Sequence, residues 1–320
     1  MSHKPRIESQ EALTPRYARY RQLWCAEHPE LDHTLRQGRM IRATLTELQS
    51  RFEVILLDAF GVLNLGDGVI SGAPEAVAGL FSAGRRVRVV SNNASQSPAR
   101  MAKKLKEWGF PFTEAHIISS GMAVEPFVAG EARYRDRPYL LVGSEESATV
   151  YAPHPEALMV NREGAALAIE QAEYILFCSN RDYHGGQQES DARRLLTHRR
   201  VPLLLANPDL VTPKPDGRLE AVAGYAAMDL VERFDLIIDG IGKPFAPIFQ
   251  LVKEEFPDVA PERILMVGDT LDTDVLGAAA QGFASCLTLS GACAGWGADL
   301  ERLCDARGIR PDYVIESLAG

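Results

Sequence analysis

Val54-Ile55-Leu56-Leu57-Asp58-Ala59-Phe60-Gly61-Val62-Leu63 is the stretch that decides the fold. Four consecutive apolar residues with no polar alternation read as a strand buried on both faces, the habit of a parallel sheet. Asp58 stands at the carboxyl end of that run, and open α/β sheets hold their ligands at the carboxyl ends of their strands. A second run, Ile264-Leu265-Met266-Val267, ends the same way, in Gly268-Asp269-Thr270-Leu271-Asp272-Thr273-Asp274. If both strands lie in one sheet, Asp58, Asp269 and Asp274 converge on one crevice, and clustered carboxylates there suit a hard divalent cation.

Working outward from Asp58, strands and helices alternate. Pro74 to Ser82 reads as a helix with Gly84 as its stop. Val87 to Val90 is the next strand and ends in Ser91-Asn92-Asn93. Ser97-Pro98 matches an N-cap followed by proline in the first turn, with Met101, Leu105 and Trp108 on one helical face. This βαβα order implies a parallel sheet with right-handed crossovers. Residues 136–239 repeat the habit with apolar runs at Tyr139 to Val142, Tyr174 to Cys178 and Val201 to Ala206, and read as a second α/β domain inserted into the first. The first sheet then resumes with Ile264 to Val267, Ser285 to Leu289 and Tyr313 to Ile315. The expected organisation is a helical N-terminal extension over 1–50, a core over 51–135 and 240–320, and the inserted domain over 136–239. Within the extension, Leu31 and Leu35, then Ile41, Leu45 and Leu48, form helical stripes, with Gly38 as a break between them.

A net charge of −9 argues against nucleic acid as a partner, because phosphate contacts need a basic surface. No apolar run approaches the ~20 residues that span a bilayer. The start, Met1-Ser2-His3-Lys4-Pro5, has no signal-like apolar stretch. The five cysteines show no CxxC spacing and read as reduced thiols of a cytoplasmic protein.

Four pieces in order resemble the haloacid dehalogenase (HAD) superfamily: Asp58-Ala59-Phe60-Gly61-Val62-Leu63, then Ser91-Asn92, then Gly242-Lys243-Pro244, then Gly268-Asp269 with Asp274. The inserted segment, with Asn207-Pro208-Asp209 inside it, is similar to the class IIA cap of sugar-phosphate, nucleotide and pyridoxal phosphatases. The resemblance covers about residues 52–318 and implies an α/β, Rossmann-like core with a cap. It implies Asp58 as nucleophile, and Mg²⁺ held by Asp58, the Phe60 carbonyl, Asp269 and Asp274. It places Lys243 on the transferring phosphoryl group, with the Ser91 hydroxyl and the Asn92 amide on another phosphate oxygen. The partner it implies is a small phosphorylated metabolite, and a homodimer is one assembly the family analogy allows. Cys178-Ser179-Asn180-Arg181-Asp182-Tyr183-His184 lies where the family's specificity loop lies, so Asn180, Arg181 and His184 are candidate substrate contacts. Asn207-Pro208-Asp209 reads as a turn at the cap boundary. Taken singly, each of these residues would pass for a turn, a helix cap or a solvated side chain.

Phe60 departs from the pattern. Phosphatases of the superfamily usually carry a second aspartate there, which protonates the leaving oxygen and later activates water. Losing such help costs about 10²- to 10⁴-fold in rate. Haloacid dehalogenases carry an aromatic at this position, and halides need no proton. The acidic set of the fourth motif weighs toward a metal-dependent phosphatase, because like charges repel unless a cation joins them. Two alternatives stand beside it: a dehalogenase-like C–X hydrolase using Asp58, and a phosphometabolite-binding protein with little turnover.

Overall fold

The computed structural model describes residues 6–7, 11–27, 35, 37–153 and 155–320. Among the described residues, sixteen strands follow along the chain. The leader contributes β1 (Arg6–Ile7) and β2 (Ile41–Arg42). The first part of the core holds β3 (Val54–Leu57), the short hairpin β4 (Asn64–Leu65) and β5 (Gly68–Val69), then β6 (Arg86–Ser91) and β7 (Ile117–Ser119). The inserted segment carries β8 (Tyr139–Val142), β9 (Tyr174–Phe177), β10 (Leu203–Leu205), β11 (Val211–Pro213), β12 (Leu219–Ala221) and β13 (Ile238–Gly240). The core closes with β14 (Ile264–Gly268), β15 (Ala284–Thr288) and β16 (Tyr313–Ile315).

Seven strands form the main sheet in the order β2-β16-β15-β14-β3-β6-β7, all parallel. The apolar runs explain its centre, since every residue of β3 and β14 is buried. Helices cover both faces, as a parallel sheet requires. Helix Ala73–Ser82 and helix Pro98–Glu107 bury Val77, Leu80, Met101 and Leu105 on one side. Helix Ala246–Glu255 buries Ile248, Phe249 and Val252 on the other. The Ser97 side chain caps helix Pro98–Glu107 by accepting from the Arg100 amide.

The inserted segment builds its own parallel sheet, β13-β10-β9-β8. Its three long apolar runs are the three expected from sequence. β13 completes it, pairing Leu203, Leu204 and Leu205 of β10 with Ile238, Asp239 and Gly240. A small antiparallel sheet, β1-β12-β11, lies alongside.

The leader is less helical than its stripes suggest. Leu31 lies outside the described residues, as does the Met1–Pro5 start. Thr14–Glu27 is a helix, and Leu45–Gln49 is a short one with a capping box at Thr44 and Glu47 and with Leu45 and Leu48 buried. Ile41, expected on the same stripe, instead belongs to β2 and is 40% exposed. The physical reason is sheet-edge chemistry. β16 and β12 would otherwise present unpaired backbone groups, and two residues of leader satisfy each edge. Among the described residues no helix is long and apolar enough to cross a membrane. Four described cysteines, Cys178, Cys286, Cys293 and Cys304, are buried free thiols.

Candidate active site

Register sets the centre of the site. β3 and β14 are neighbours, with Leu57 opposite Val267, and the Asp58 amide donates to the Val267 carbonyl at 2.9 Å. Asp58 and Asp269 therefore emerge side by side at the carboxyl edge of the sheet. β14 leads into a single π-helical turn, Leu271–Val275, a widened turn often found at functional sites. That turn folds Asp274 back, so that its Oδ2 accepts from the Thr270 amide at 3.1 Å. One carboxylate oxygen from each of Asp58, Asp269 and Asp274 lies within 4.8 Å of the others, and all three residues are buried.

Glycines make room for this cluster. A Cβ on Gly61 would stand 1.8 Å from Asp269 Oδ2, and its φ of +81° favours glycine independently. A Cβ on Gly291 would stand 2.1 Å from the same oxygen. Asp269 is fixed by the Ala292 amide, which donates to Oδ2 at 2.6 Å, and by the Thr270 hydroxyl, which donates to Oδ1 at 3.1 Å.

Lys243 reaches the cluster from the other sheet. β10 and β13 run side by side, so the loops that follow them, 207–209 and 242–243, share one edge. The Lys243 side chain is 1% exposed, and its Nζ donates to Asp58 Oδ1 and to Asp274 Oδ1, each at 2.7 Å. Asn92 clamps its backbone: the Lys243 amide donates to Asn92 Oδ1 at 2.6 Å, and Asn92 Nδ2 donates to the Lys243 carbonyl at 3.0 Å. Asn92 Nδ2 also donates to Asp209 Oδ1 at 2.8 Å. The Asn92 side chain is thus committed to positioning, which leaves its backbone amide as the group that could face a ligand. Ser91 ends β6 and is 1% exposed, and its Oγ accepts from the Asn93 amide at 3.3 Å. The inserted segment pins the loop beyond it: Ser144, Ser147 and Tyr151 hydroxyls each donate at 2.7 Å to the carbonyls of Ser95, Ala94 and Gln96.

Three buried carboxylates face one ammonium, so acid groups are in excess. Burial raises the Asp58 carboxyl well above the usual range, opposed by Lys243 and reinforced by Asp274. Burial likewise raises Asp269 to about 7, with Asp274 adding to the effect. The donors are all hard oxygens and carry uncompensated charge, which fits a divalent cation such as Mg²⁺. Asp58, Asp269 and Asp274 would hold it.

Above the cluster lies a cleft of about 250 Å³ between the two sheets' edges. Asp58, Phe60, Asp269, Asn180, Arg181 and Asp209 are among its walls. Phe60 is half-buried against the core cluster and still faces the cleft. Asn180 is buried and donates to the Ala221 carbonyl at 3.2 Å, whereas Arg181 is exposed at the mouth. His184 stands back from the lining, its ring edge-on to Tyr183 and its Nε2 3.4 Å from Asn180 Nδ2. Asp209, which the sequence suggested as a turn residue, lines the cleft as well. The signal was partial: it is a carboxylate in the loop after a buried apolar strand, but four residues beyond the strand end, where Asp58 and Asp269 follow theirs directly.

A parallel sheet with acidic groups at adjacent central strand ends, roofed by an inserted α/β lobe, places the chain in the doubly wound α/β class that holds its ligands at strand carboxyl ends. Residues 55–154 match the family model described as haloacid dehalogenase-like hydrolase, and residues 240–320 match a HAD-hydrolase-like model. Over 312 residues the chain is 30% identical to a glycerol-3-phosphate phosphatase of Gallus gallus, covering 88% of this chain and 94% of that one. A possible sugar phosphatase of Cytophaga hutchinsonii shares the fold, with a TM-score of 0.75 and 24% identity over 88% of this chain and 99% of that one. A glycerol phosphate phosphatase of Mycobacterium tuberculosis, solved in complex with calcium, aligns with a TM-score of 0.65 and 25% identity over 85% of this chain and 75% of its own. The chain belongs to the haloacid dehalogenase-like hydrolases, and it is a hydrolase with a class IIA type of insertion.

Proposed function

We propose that this hydrolase is a Mg²⁺-dependent phosphatase of a small phosphorylated metabolite, with Asp58 as nucleophile and the segment 136–239 as its cap. The observation that carries the reading is the convergence of Asp58, Asp269 and Asp274 within 4.8 Å beneath a cleft that Asp58 itself lines. When bound, the cation supplies charge neutralisation for the phosphate oxygens. Asp58 would attack phosphorus in line and carry the phosphoryl group as an acyl phosphate until water releases it. Lys243, already on Asp58, would move its charge to the transferring oxygens. The Ser91 hydroxyl and the Asn92 backbone amide would hold a further phosphate oxygen. Arg181 is the cleft-lining cation with no ion pair among the described residues, because Lys104 is paired with Asp67 and Lys214 with Glu220. It is suited to a polar or anionic tail of the substrate. The phosphatase names borne by the relatives support the same reading.

The dehalogenase alternative is less well supported, because a metal-free site has no use for three buried carboxylates. The test is phosphate release from a panel of phosphorylated metabolites, with Mg²⁺ and with EDTA, by wild type and Asp58→Asn. Mg²⁺-dependent release that vanishes in Asp58→Asn is expected. Release that survives the substitution, or chloride release from haloacids without phosphate release, would overturn the assignment.

A further inference from the structure

Phe60 leaves the reaction without its usual proton donor, and the cleft walls identify a replacement. Five carboxylates line the cleft: Asp58, Asp67, Asp209, Glu220 and Asp269. Asp58 is paired with Lys243, Asp67 with Lys104 and Glu220 with Lys214, while Asp269 belongs to the acidic cluster. Asp209 is the one that is neither ion-paired nor part of that cluster. Its hydrogen bond comes from a neutral amide, Asn92 Nδ2 at 2.8 Å, and this bond occupies Oδ1. Its backbone is held on both sides, the Asp209 amide donating to Asn207 Oδ1 at 3.0 Å and the Gly224 amide to the Asp209 carbonyl at 2.9 Å. A Cβ on Gly224 would meet the Pro208 carbonyl oxygen at 2.2 Å, so the loop and the following helix fit only with glycine there. A carboxylate on a backbone held at both sides, lining the same cleft as the nucleophile, is preorganised for one task.

We propose that Asp209 is the general acid and base of this enzyme, taking from the cap the role that Phe60 cannot perform on the core. The proposal rests on Asp58 being the nucleophile. In the first half, an Asp58 oxygen bonds to phosphorus as the bond to the leaving oxygen breaks. The Asp209 proton passes to that oxygen, giving an alcohol, an aspartyl phosphate at Asp58 and an Asp209 carboxylate. In the second half, the Asp209 carboxylate takes a proton from water as the water oxygen bonds to phosphorus. The bond to Asp58 breaks, inorganic phosphate leaves, and Asp209 is protonated again. No co-reactant beyond water is needed. The groups around Asp209 suit a proton that comes and goes near neutral pH. Burial raises its carboxyl to about 6, opposed by Lys243 and by the Asn92 hydrogen bond and assisted by Asp274. Asp58 and Asp269 also feel its charge from the core edge, as do Tyr17 and Tyr20 from the leader helix.

Asp209→Asn keeps an oxygen for Asn92 Nδ2 and removes the proton. The probes are glycerol phosphate, with a poor alkoxide leaving group, and 4-nitrophenyl phosphate, whose leaving group needs no proton. In Asp209→Asn, kcat/KM for the alkyl ester should fall about 10²- to 10⁴-fold. For the aryl ester kcat/KM should change less than about tenfold, while kcat falls and a burst of one nitrophenol per site appears, because only the second half is slowed. The alkaline limb of the alkyl kcat/KM profile should vanish. Asp209→Glu, and Phe60→Asp in the Asp209→Asn background, should each recover alkyl-ester turnover, which separates lost chemistry from a lost fold. Equal losses on both esters with no recovery would overturn the role and leave Asp209 as a positioning residue for Asn92 and Lys243. Asp58→Asn is assayed in parallel. If it stays active, the nucleophile assignment fails; if it is dead while Asp209→Asn matches wild type on both esters, only the role of Asp209 fails.

Discussion

Replacing Lys243 with methionine probes the balance of charge at the centre of the site. The side chain is 1% exposed, and its ammonium lies 2.7 Å from carboxylates whose side chains are 10% and 2% exposed. Breaking a buried pair from one side typically costs about 3–5 kcal/mol, because the partner charge is stranded. For a chain of this size that is a fall in melting temperature of roughly 4–8 °C. The cost should depend on the cation. In EDTA at pH 8, Asp58 and Asp274 lose the only ammonium that contacts them among the described residues, and the full loss is expected. At pH 5.5 it should shrink, because the Asp58 carboxyl is already inclined to hold its proton. In excess Mg²⁺ it should shrink again, because the ammonium competes with the cation for Asp58 and Asp274, so the variant should bind Mg²⁺ more tightly than wild type and gain more stability from it. Turnover should still fall by about 10²- to 10³-fold, because the charge on the transferring group is gone. The assay is a melt of wild type and Lys243→Met at two pH values with EDTA and with Mg²⁺, together with phosphate release. If the loss in melting temperature is the same with EDTA and with Mg²⁺, the three carboxylates do not share a cation and the reasoning is wrong.

Further outcomes follow from the same geometry. Gly61→Ala places a methyl 1.8 Å from Asp269 Oδ2 and forces alanine to φ +81°, so Mg²⁺ affinity should fall about 10- to 100-fold, measured by titrating activity with Mg²⁺. In metal-free protein, Asp269 has a folded pKa raised to about 7, so the folded state binds the extra proton. The stability it contributes is complete below the ordinary aspartate range and is lost as pH rises through about 7, so EDTA melts should decline from pH 5 to pH 8 and Mg²⁺ should flatten the decline. Arg181→Gln should raise KM about tenfold for substrates with an anionic tail and leave kcat within about twofold, the mark of a residue that binds substrate and transition state alike.

The parts of the site that the sequence showed plainly are those carried by long buried strands. Val54–Leu57 and Ile264–Gly268 are apolar because both their faces are covered, so their ends could be located and Asp58 and Asp269 with them. Lys243 was visible only through its motif, since no period marks the three-residue strand before it. Asp209 was read as a turn because Asn207-Pro208-Asp209 has turn chemistry, and it does bend the chain there, with the Asp209 amide on Asn207 Oδ1. What escaped was that β10 and β13 are neighbours, which brings that turn onto Lys243 and Asn92, 151 residues apart in sequence from one another. The leader's two strands are two residues each, too short for any alternation to show. Their pairing is dictated by the edges they meet rather than by their own residues.

The leader has a mechanical consequence. β1 joins the edge of β12 in the inserted segment, and Arg16 binds the Tyr225 carbonyl, Asp229 and Glu232 on helix Ala223–Phe234 of that segment. The same helix, Thr14–Glu27, also holds the core: Arg21 donates to the Arg307 carbonyl, and Tyr17 lies under the Arg307 guanidinium that pairs with Asp272 of the acidic turn. Tyr20 meets Phe245, two residues beyond Lys243, edge-on. Two chain crossings alone would define a hinge line about which a lid can swing. A third attachment, set off that line and gripping both halves, turns the hinge into a braced joint. A rotation of the lid must then either drag the brace across the core or peel two residues of strand from β12. The described leader segments therefore tie the lobe above the cleft to the core at a point away from the two chain crossings.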